Sequence, residues 1–250
     1  KKITTILCYP WAKSGSVYST PATITTIAPY AFRVCMNLKK IVVNEGVTSI
    51  AERGFYNSYA SSVILPATLQ SIGMYGFGYC LYLSSITFAG KTEPFMAEYV
   101  FDTNIATKTV YLPNASNGFT AGNWGTGVTL RYGLLPADVH TVIFDSQGGS
   151  AIPNGLYFTG AIIPQPENPV LSGYNFAGWY KEKTLINQWN FGVNTMPDAD
   201  LTLYARWLLT TSTNNISDSR YKIYSQAGTI IIEGLDYGDK FNINSVNGSL

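Results

Sequence analysis

The stretch "TSIAERGFYNS" (residues 48–58) has two near-copies, "TTIAPYAFRVC" (25–35) and "QSIGMYGFGYC" (70–80). Each places a polar pair before Ile, then a small residue, three variable positions, Phe, two more positions, and Cys or Ser. The residues Ile27, Ile50 and Ile72 are spaced by 23 and 22, and so are Phe32, Phe55 and Phe77. A second apolar column, Ile41, Val63, Ile86 and Val110, follows at spacings of 22, 23 and 24. Its members sit in the strand-like runs "KKIVV", "SSVIL", "SSITF" and "KTVYL". "PATITTI" (21–27) returns two periods later as "PATLQSI" (66–72).

One such unit cannot close a core alone, so each copy lends an Ile, a Phe and a strand to columns shared with its neighbours. The small residue after Ile (Ala28, Ala51, Gly73) lets the chain turn inward, Phe fills the space between turns, and Cys or Ser fits the corner after it. Packing is therefore the first role of every residue that repeats. A period of 20 to 29 residues with one strand per copy lies in the leucine-rich-repeat range.

Composition limits what such a chain can do. Of 250 residues, 12% are charged, about half the ~25% usual in soluble domains; Thr, Ser, Asn, Gly and 18 Tyr take their place. The hydrophobic share of 46% supplies ample core. A net charge of +1 with no basic block argues against a nucleic-acid partner. No apolar run approaches the ~20 residues of a membrane helix. The sequence starts without Met or a signal-peptide pattern, and reads as a mature or trimmed form. Three cysteines leave at least one thiol free. Cys35 and Cys80 stand two repeats apart, about 9 to 10 Å at strand spacing, beyond the ~7 Å a disulfide tolerates. Both read as buried thiols, with Cys8 in the same class.

The phrase Ile-(Ala/Gly)-x-x-x-Phe-x-x-(Cys/Ser), followed by a strand and Pro, resembles the BspA-type (Treponema-like) leucine-rich repeat of bacterial surface and secreted proteins, some of them adhesins. Three copies match well. A fourth, around Phe101 to Pro113, is degenerate, and "VYLPNASNGFTAGNWGTG" resembles the end of such an array. Residues 1–20 fit poorly; Lys1-Lys2-Ile3 echoes Lys39-Lys40-Ile41, as expected of a start inside an earlier repeat. The resemblance assigns residues 1–133 to a solenoid.

From Thr141 the style changes: "TVIFDSQGGS", "PQPENPVLSGYNFAGWY", "WNF" and "LTLYARW". This resembles the Listeria–Bacteroides repeat, the internalin B-repeat module, through Phe144, Gly148, Gly149, Pro166, Pro169, Gly173, Tyr174, Phe176, Gly178, Trp179, Tyr180, Phe191, Leu203, Tyr204, Ala205 and Trp207. The resemblance implies a small β-grasp (ubiquitin-like) domain over 138–208. "TVIFD" and "LTLYARW" alternate as half-buried strands, in agreement. Trp179, Tyr180, Tyr204 and Trp207 read as the core of this small domain rather than as an exposed sugar- or peptide-binding set. "TTSTNNISDS" lies in a linker over 209–220. Residues 221–250 carry three strand-like runs and resemble the start of the C-terminal β modules of secreted Bacteroidetes proteins. The expected fold class is thus mainly β: a leucine-rich-repeat solenoid, a β-grasp domain and a short C-terminal β segment.

Chemistry is sparse. The single His140 reads as a solvent-exposed linker residue, with no nucleophile motif around it. Asp198 and Asp200 in "PDADL" suit a polar turn and lack the further oxygens of a calcium loop. "GMYGFG" (73–78) lies inside a repeat, so it is no phosphate loop. Carboxylate pairs of the glycosidase kind need no motif, and nothing points to one. Asn114, Asn215 and Asn247 stand in N-x-S sequons. No catalytic residue, metal ligand or cofactor is expected. What remains is surface. Val42, Ile64, Thr87 and Tyr111 alternate with the core column and are expected to form an outward sheet face; Tyr56, Tyr59, Tyr79 and Tyr82 add a ridge on the turns. These eight residues are the candidate binding set. The function read from them is a non-catalytic secreted or cell-surface adhesion protein that binds a host, bacterial or matrix protein; the alternative is glycan capture in support of polysaccharide use.

Overall fold

The computed structural model describes residues 3–10, 13–104, 107–114, 116, 118–210, 222–226 and 229–234. They form two compact units, Lys1–Leu209 and Thr210–Leu250. In the first unit, the solenoid strands run β1 (Thr5–Ile6), β2 (Val17–Ser19), β3 (Thr26–Ile27), β4 (Lys40–Val42), β5 (Ser49–Ile50), β6 (Ser62–Leu65), β7 (Ser71–Ile72), β8 (Ser85–Phe88), β9 (Phe95–Met96), β10 (Lys108–Leu112) and β11 (Val128–Tyr132). Strands β1 to β10 alternate between two parallel sheets, β1-β3-β5-β7-β9 and β11-β10-β8-β6-β4-β2, the second of which β11 extends. The registers stack Ile6, Ile27, Ile50, Ile72 and Met96 in one column. They stack Tyr18, Ile41, Val63, Ile86, Val110 and Leu130 in the other. Both columns are therefore longer at each end than the repeated phrase indicates.

Between them stands a stack of rings. Phe32–Phe55, Phe55–Phe77 and Phe77–Phe101 have centroids 4.7, 4.8 and 5.4 Å apart and are parallel to within 8°. Tyr9 extends the stack below Phe32 at 5.6 Å, and Trp124 closes it beyond Phe101 at 5.7 Å. The start of the chain departs from the repeated phrase because Tyr9 does the work of Phe and follows Ile6 by three positions instead of five. Trp124 is brought in by a 3-10 turn, Ala121–Trp124, and its indole N–H donates to Glu93 Oε1 at 2.6 Å.

The corner after each Phe has a polar task. Cys80 Sγ donates to the Phe55 carbonyl at 3.0 Å, and one repeat later Asn104 Nδ2 donates to the Phe77 carbonyl at 2.9 Å. Asn104 replaces Cys because either can donate to the carbonyl of the preceding turn, so the fourth copy is regular in space. All three cysteines are free. Burial pushes the Cys35 thiol up to about 11 and that of Cys80 to about 12. Cys8, expected to be buried, is exposed.

Each turn also uses two left-handed residues. Tyr30, Arg53, Tyr75 and Tyr99 stand three positions after the Ile column, and Val34, Asn57, Tyr79 and Thr103 seven, all with φ between 54 and 60°. Such conformations cost non-glycine residues roughly 1–2 kcal/mol. They persist because the turns bond to one another, with Arg53 N–H to Met74 O at 3.0 Å, Asn57 N–H to Gly78 O at 2.9 Å and Tyr79 N–H to Asp102 O at 2.9 Å.

The rest of this unit is a four-stranded sheet of β12 (Val139–Asp145), β13 (Gly155–Phe158), β14 (Tyr174–Tyr180) and β15 (Leu201–Leu209), in the order β13-β12-β15-β14. The central pair β12–β15 is parallel and both outer pairs antiparallel. Gly149 is demanded by close approach: a Cβ there would lie 2.4 Å from the Trp207 ring. The second unit shows β16 (Lys222–Gln226) paired antiparallel with β17 (Thr229–Glu233). Leu209, where the linker is expected to begin, ends β15; the rest of that linker from residue 211, the third strand-like run, Asn215, Asn247 and Lys1-Lys2 lie outside the described residues.

Phe55 has rings on both sides, so Phe55→Ala should destabilise the solenoid by about 3–5 kcal/mol while leaving the chain β-rich. Denaturant unfolding followed by circular dichroism measures this; a loss under about 1 kcal/mol would show that the stack is ornamental.

Candidate functional site

Alternation along the solenoid strands does turn Val42, Ile64, Thr87 and Tyr111 away from the inner core, but the sheet face is not free. Val42, Ile64 and Thr87 are 1–2% exposed. Val42 and Ile64 belong to a second core with Val139, Val142, Phe144, Tyr157 and Phe158 of the four-stranded domain. The expectation of an outward binding face is corrected here: the downstream domain covers it. Coverage fades along the array, with Tyr111 half-buried and Arg131, its register partner, exposed. Lys40 Nζ bridges to Asp138 Oδ2 at 2.5 Å at the margin and lies 5.3 Å from the Phe158 ring centre. Tyr157 packs beside Glu45 of the solenoid; burial first, then that carboxylate, raise its phenol above the ordinary range.

The turn edge stays open. Tyr79 and Tyr82 are exposed, and Tyr56 and Tyr59 are half-buried. The rings of Tyr56 and Tyr79 lie 5.3 Å apart, as do those of Tyr59 and Tyr82. Lys39 stands over both members of the second pair at 5.6 and 6.0 Å. Tyr59 and Tyr82 meet because each stands four residues before the core residue of its following strand, Val63 and Ile86.

A further ladder runs through the first left-handed column. The Arg53 guanidinium lies 5.9 Å from the ring centre of Tyr30, 5.9 Å from Tyr56 and 4.9 Å from Tyr75. Tyr75 in turn stacks on Tyr99 at 5.5 Å. Tyr30, Tyr75 and Tyr99 are absent from the candidate set read from sequence. The signal was present: all occupy the third position after the Ile column, so the spacing that defines the core also aligns them.

His140 is a strand residue, not a linker residue. It lies in β12, and its Nε2 is 3.1 Å from Thr159 Oγ1 and 3.2 Å from Asp198 Oδ1. Thr159 donates to Asp198 Oδ1 at 2.9 Å, and Asp200 accepts the Thr141 N–H at 2.7 Å. Both aspartates thus clamp strands through the polar turn. The cluster is no nucleophile relay, since hydroxyl and carboxylate meet the same imidazole nitrogen, whereas a triad places them on different ones. Trp179 and Tyr180 are buried, while Tyr204 and Trp207 are half-buried. No cluster of three or more potential metal ligands occurs among the described residues, and no helix there is long and apolar enough to cross a membrane.

Comparison with known proteins gives the solenoid and the four-stranded domain each a family match. Residues 8–121 match the BspA-type leucine-rich repeat region, in six copies, and residues 140–206 match the Listeria–Bacteroides repeat domain. The chain is 34% identical over 76 residues to internalin H of Listeria monocytogenes, covering 30% of this chain and 14% of that one. It is 36% identical over 76 residues to a membrane protein, by its name, of Evansella cellulosilytica, covering 30% of this chain and 11% of that protein. The chain therefore spans about a tenth of the length of these curated relatives. A crystal structure of a leucine-rich repeat protein from Eubacterium ventriosum is similar at 28% identity and a TM-score of 0.42, over 58% of this chain and 39% of that one.

Two outcomes follow. Ile64→Asp would bury a carboxylate without a partner and should cost at least about 3 kcal/mol, whereas Thr129→Asp on the exposed end of the same sheet should cost under about 0.5 kcal/mol; equal effects in denaturant unfolding would contradict the covered face. The Asp198 carboxyl is held below its ordinary value, first by the Thr159 hydroxyl and then by His140. Its contribution is present above the unfolded carboxylate pKa and fades as pH falls through the depressed folded one. Thr159→Val should raise the Asp198 pKa toward the ordinary range in an NMR titration.

Proposed function

We propose that this chain, which carries a BspA-type leucine-rich repeat region followed by a Listeria–Bacteroides repeat domain, is a non-catalytic protein-binding module of a bacterial cell-surface protein. The relatives named for a membrane and as an internalin support the location. The recognition surface in this reading is the turn edge of the solenoid, not its outer sheet face. One observation carries it: Tyr30, Tyr56, Tyr75, Tyr79 and Tyr99 converge with Arg53 on an open edge, while the sheet face is occupied. Tyr and Arg are the residues that dominate protein interfaces, because they offer large contact area with a polar handle. The rings already touch one another, Tyr75 and Tyr99 stacked and Tyr56 and Tyr79 tilted, so less side-chain freedom remains to be lost on binding. The second domain reads as a reduced β-grasp fold. Its sheet order and central parallel pair support that reading, although the connection from β13 to β14 is not helical.

The test uses the whole chain, because a solenoid cut at residue 133 would expose Val42 and Ile64. Wild type and a Tyr56→Ala, Tyr79→Ala double variant, matched by circular dichroism, are compared for capture from host and bacterial surface extracts. Partners of this edge should fall at least about tenfold in the variant, the loss of one hot spot or more. Retention of every captured protein by the double variant refutes the proposed edge.

A further inference from the structure

At the C-terminal end of the solenoid the two sheets stop out of step. β9 is the last strand of its sheet, whereas the other sheet continues through β10 to β11. Between β10 and β11 the chain makes the 3-10 turn Ala121–Trp124 in place of a strand that would pair with β9. A cavity of about 490 Å³ lies at this end. Met96, Tyr99, Phe101 and Thr103 line it from the last turn of the repeat, with Asn123 and Thr126 beyond them.

The backbone shows what this end lacks. The carbonyls of Ile27, Ile50 and Ile72 accept from the N–H groups of Ala51, Gly73 and Ala97, one turn on, at 2.8 to 3.0 Å. The N–H groups of Phe32, Phe55 and Phe77 donate to the carbonyls of Gly54, Gly76 and Val100 in the same direction. Those of Val34, Asn57 and Tyr79 donate to Asn57, Gly78 and Asp102. The next members of these columns are the Met96 carbonyl and the Phe101 and Thr103 N–H groups. None of the three has a hydrogen-bond partner among the described residues. Unanswered main-chain groups at a sheet end pair readily with an added chain.

The side chains around them are presented to solvent. Thr103 is exposed and Met96 half-buried. Tyr99 is 58% exposed; Tyr75 stacks on one of its faces at 5.5 Å, and no ring or cation among the described residues lies on the other. Glu98 precedes this ring, and Asp102, whose N–H donates to the Tyr99 carbonyl at 3.0 Å, follows it. Neither carboxylate meets a cation among the described residues. Lys108 is buried, donates to the Asn104 carbonyl at 3.3 Å and is not part of the lining.

We infer that this end of the solenoid is a docking site for an extended peptide of another protein, which sets an apolar residue beside Met96 and an arginine three positions later over Tyr99. The array supplies the spacing. Tyr30, Arg53, Tyr75 and Tyr99 all stand three positions after the Ile column, and Arg53 lies 4.9 Å from the Tyr75 ring centre. An arginine one pitch beyond Tyr99 meets a free ring face and two uncompensated carboxylates. Trp124 already closes the ring column, so the peptide is small where a repeat has Phe. Its main chain takes up the bonds that earlier turns make with one another: one N–H to Met96, and two carbonyls to Phe101 and Thr103. The site shares Tyr99 with the tyrosine edge but does not depend on that edge for binding.

The probe is acetyl-QSIGSRGGG-amide, patterned on residues 70–78 with an arginine third after Ile and glycine for the ring; its counterpart acetyl-QSIGSEGGG-amide reverses the charge. Each is titrated into the whole ¹⁵N-labelled protein up to about 10 mM, ten times the ~1 mM that marks weak specific affinity. The arginine probe should move the Phe101 and Thr103 amide resonances and slow their hydrogen exchange about tenfold at ten times Kd. The glutamate probe should bind about tenfold more weakly. Tyr99→Ala and Glu98→Lys, both at exposed positions, should each raise Kd for the arginine probe about threefold. Glu98→Lys should also improve binding of the glutamate probe. Tyr56→Ala, two turns away, should leave Kd unchanged; a loss there equal to that of Tyr99→Ala moves binding onto the tyrosine edge and overturns the inference. Silence of the Phe101 and Thr103 amides, equal binding of the two probes, or a Kd unchanged in both end variants overturns it as well.

Discussion

One spacing governs the solenoid. Parallel strands repeat at about 4.8 Å, and the rings of Phe32, Phe55 and Phe77 stack at 4.7 and 4.8 Å. The two sheets and the ring column can therefore share a single pitch without strain between them. Everything else in the repeat serves that match. The left-handed residues at the third and seventh positions fold the turn tightly enough to keep Phe in line, and the inter-turn hydrogen bonds offset their conformational cost. The corner donors Cys80 and Asn104 tie the backbones of Phe55 and Phe77 to the turn that follows each. Tyr9 and Trp124 end the stack without exposing a Phe face.

The same pitch orders the surface. A residue at a fixed position in successive turns meets its equivalent about one strand spacing away, whatever its chemistry. Where the equivalents are Tyr30, Arg53, Tyr75 and Tyr99, the outcome is an alternation of rings and a guanidinium at 4.9 to 5.9 Å. Such contacts are individually modest, about 0.5–1 kcal/mol at exposed sites. Their effect is to hold side chains that would otherwise be free, so core periodicity and surface preorganisation have one cause.

How much of this was legible in the sequence depended on distance along the chain. The Ile, Phe and strand columns were readable because their members are 22 to 24 residues apart and chemically alike. The first and fourth copies were harder to see, because Tyr9 and Asn104 conserve a contact and not a letter. For Val42 and Ile64 the strand alternation gives the right direction but not the environment. The side chains that cover them, Val139, Tyr157 and Phe158 among them, come from a different module about a hundred residues on, and no local pattern encodes that pairing. His140 is not legible as a strand residue for a smaller reason: β12 begins at Val139, before the apolar run that announces it. The contact of Phe176 with Trp179 is not legible because it rests on a one-residue bulge, whereas period-two reading puts the two on opposite faces.

The covered sheet face bears on how the molecule can work. Val42 and Ile64 would give an isolated solenoid a contiguous apolar patch, a feature that soluble surfaces avoid unless something binds there. Here the ligand of that patch is the chain's own second domain, and Lys40 with Asp138 fixes the margin. Recognition by the solenoid is thereby displaced to the edge where the turns stack. The two modules do not behave as beads joined by a tether, because they share a core. A force or ligand acting on one is resisted by the packing of the other, and losing the second domain would alter the first even where it touches no partner. Residues at the junction should thus matter for binding through stability, whereas those of the tyrosine edge should matter through contact alone.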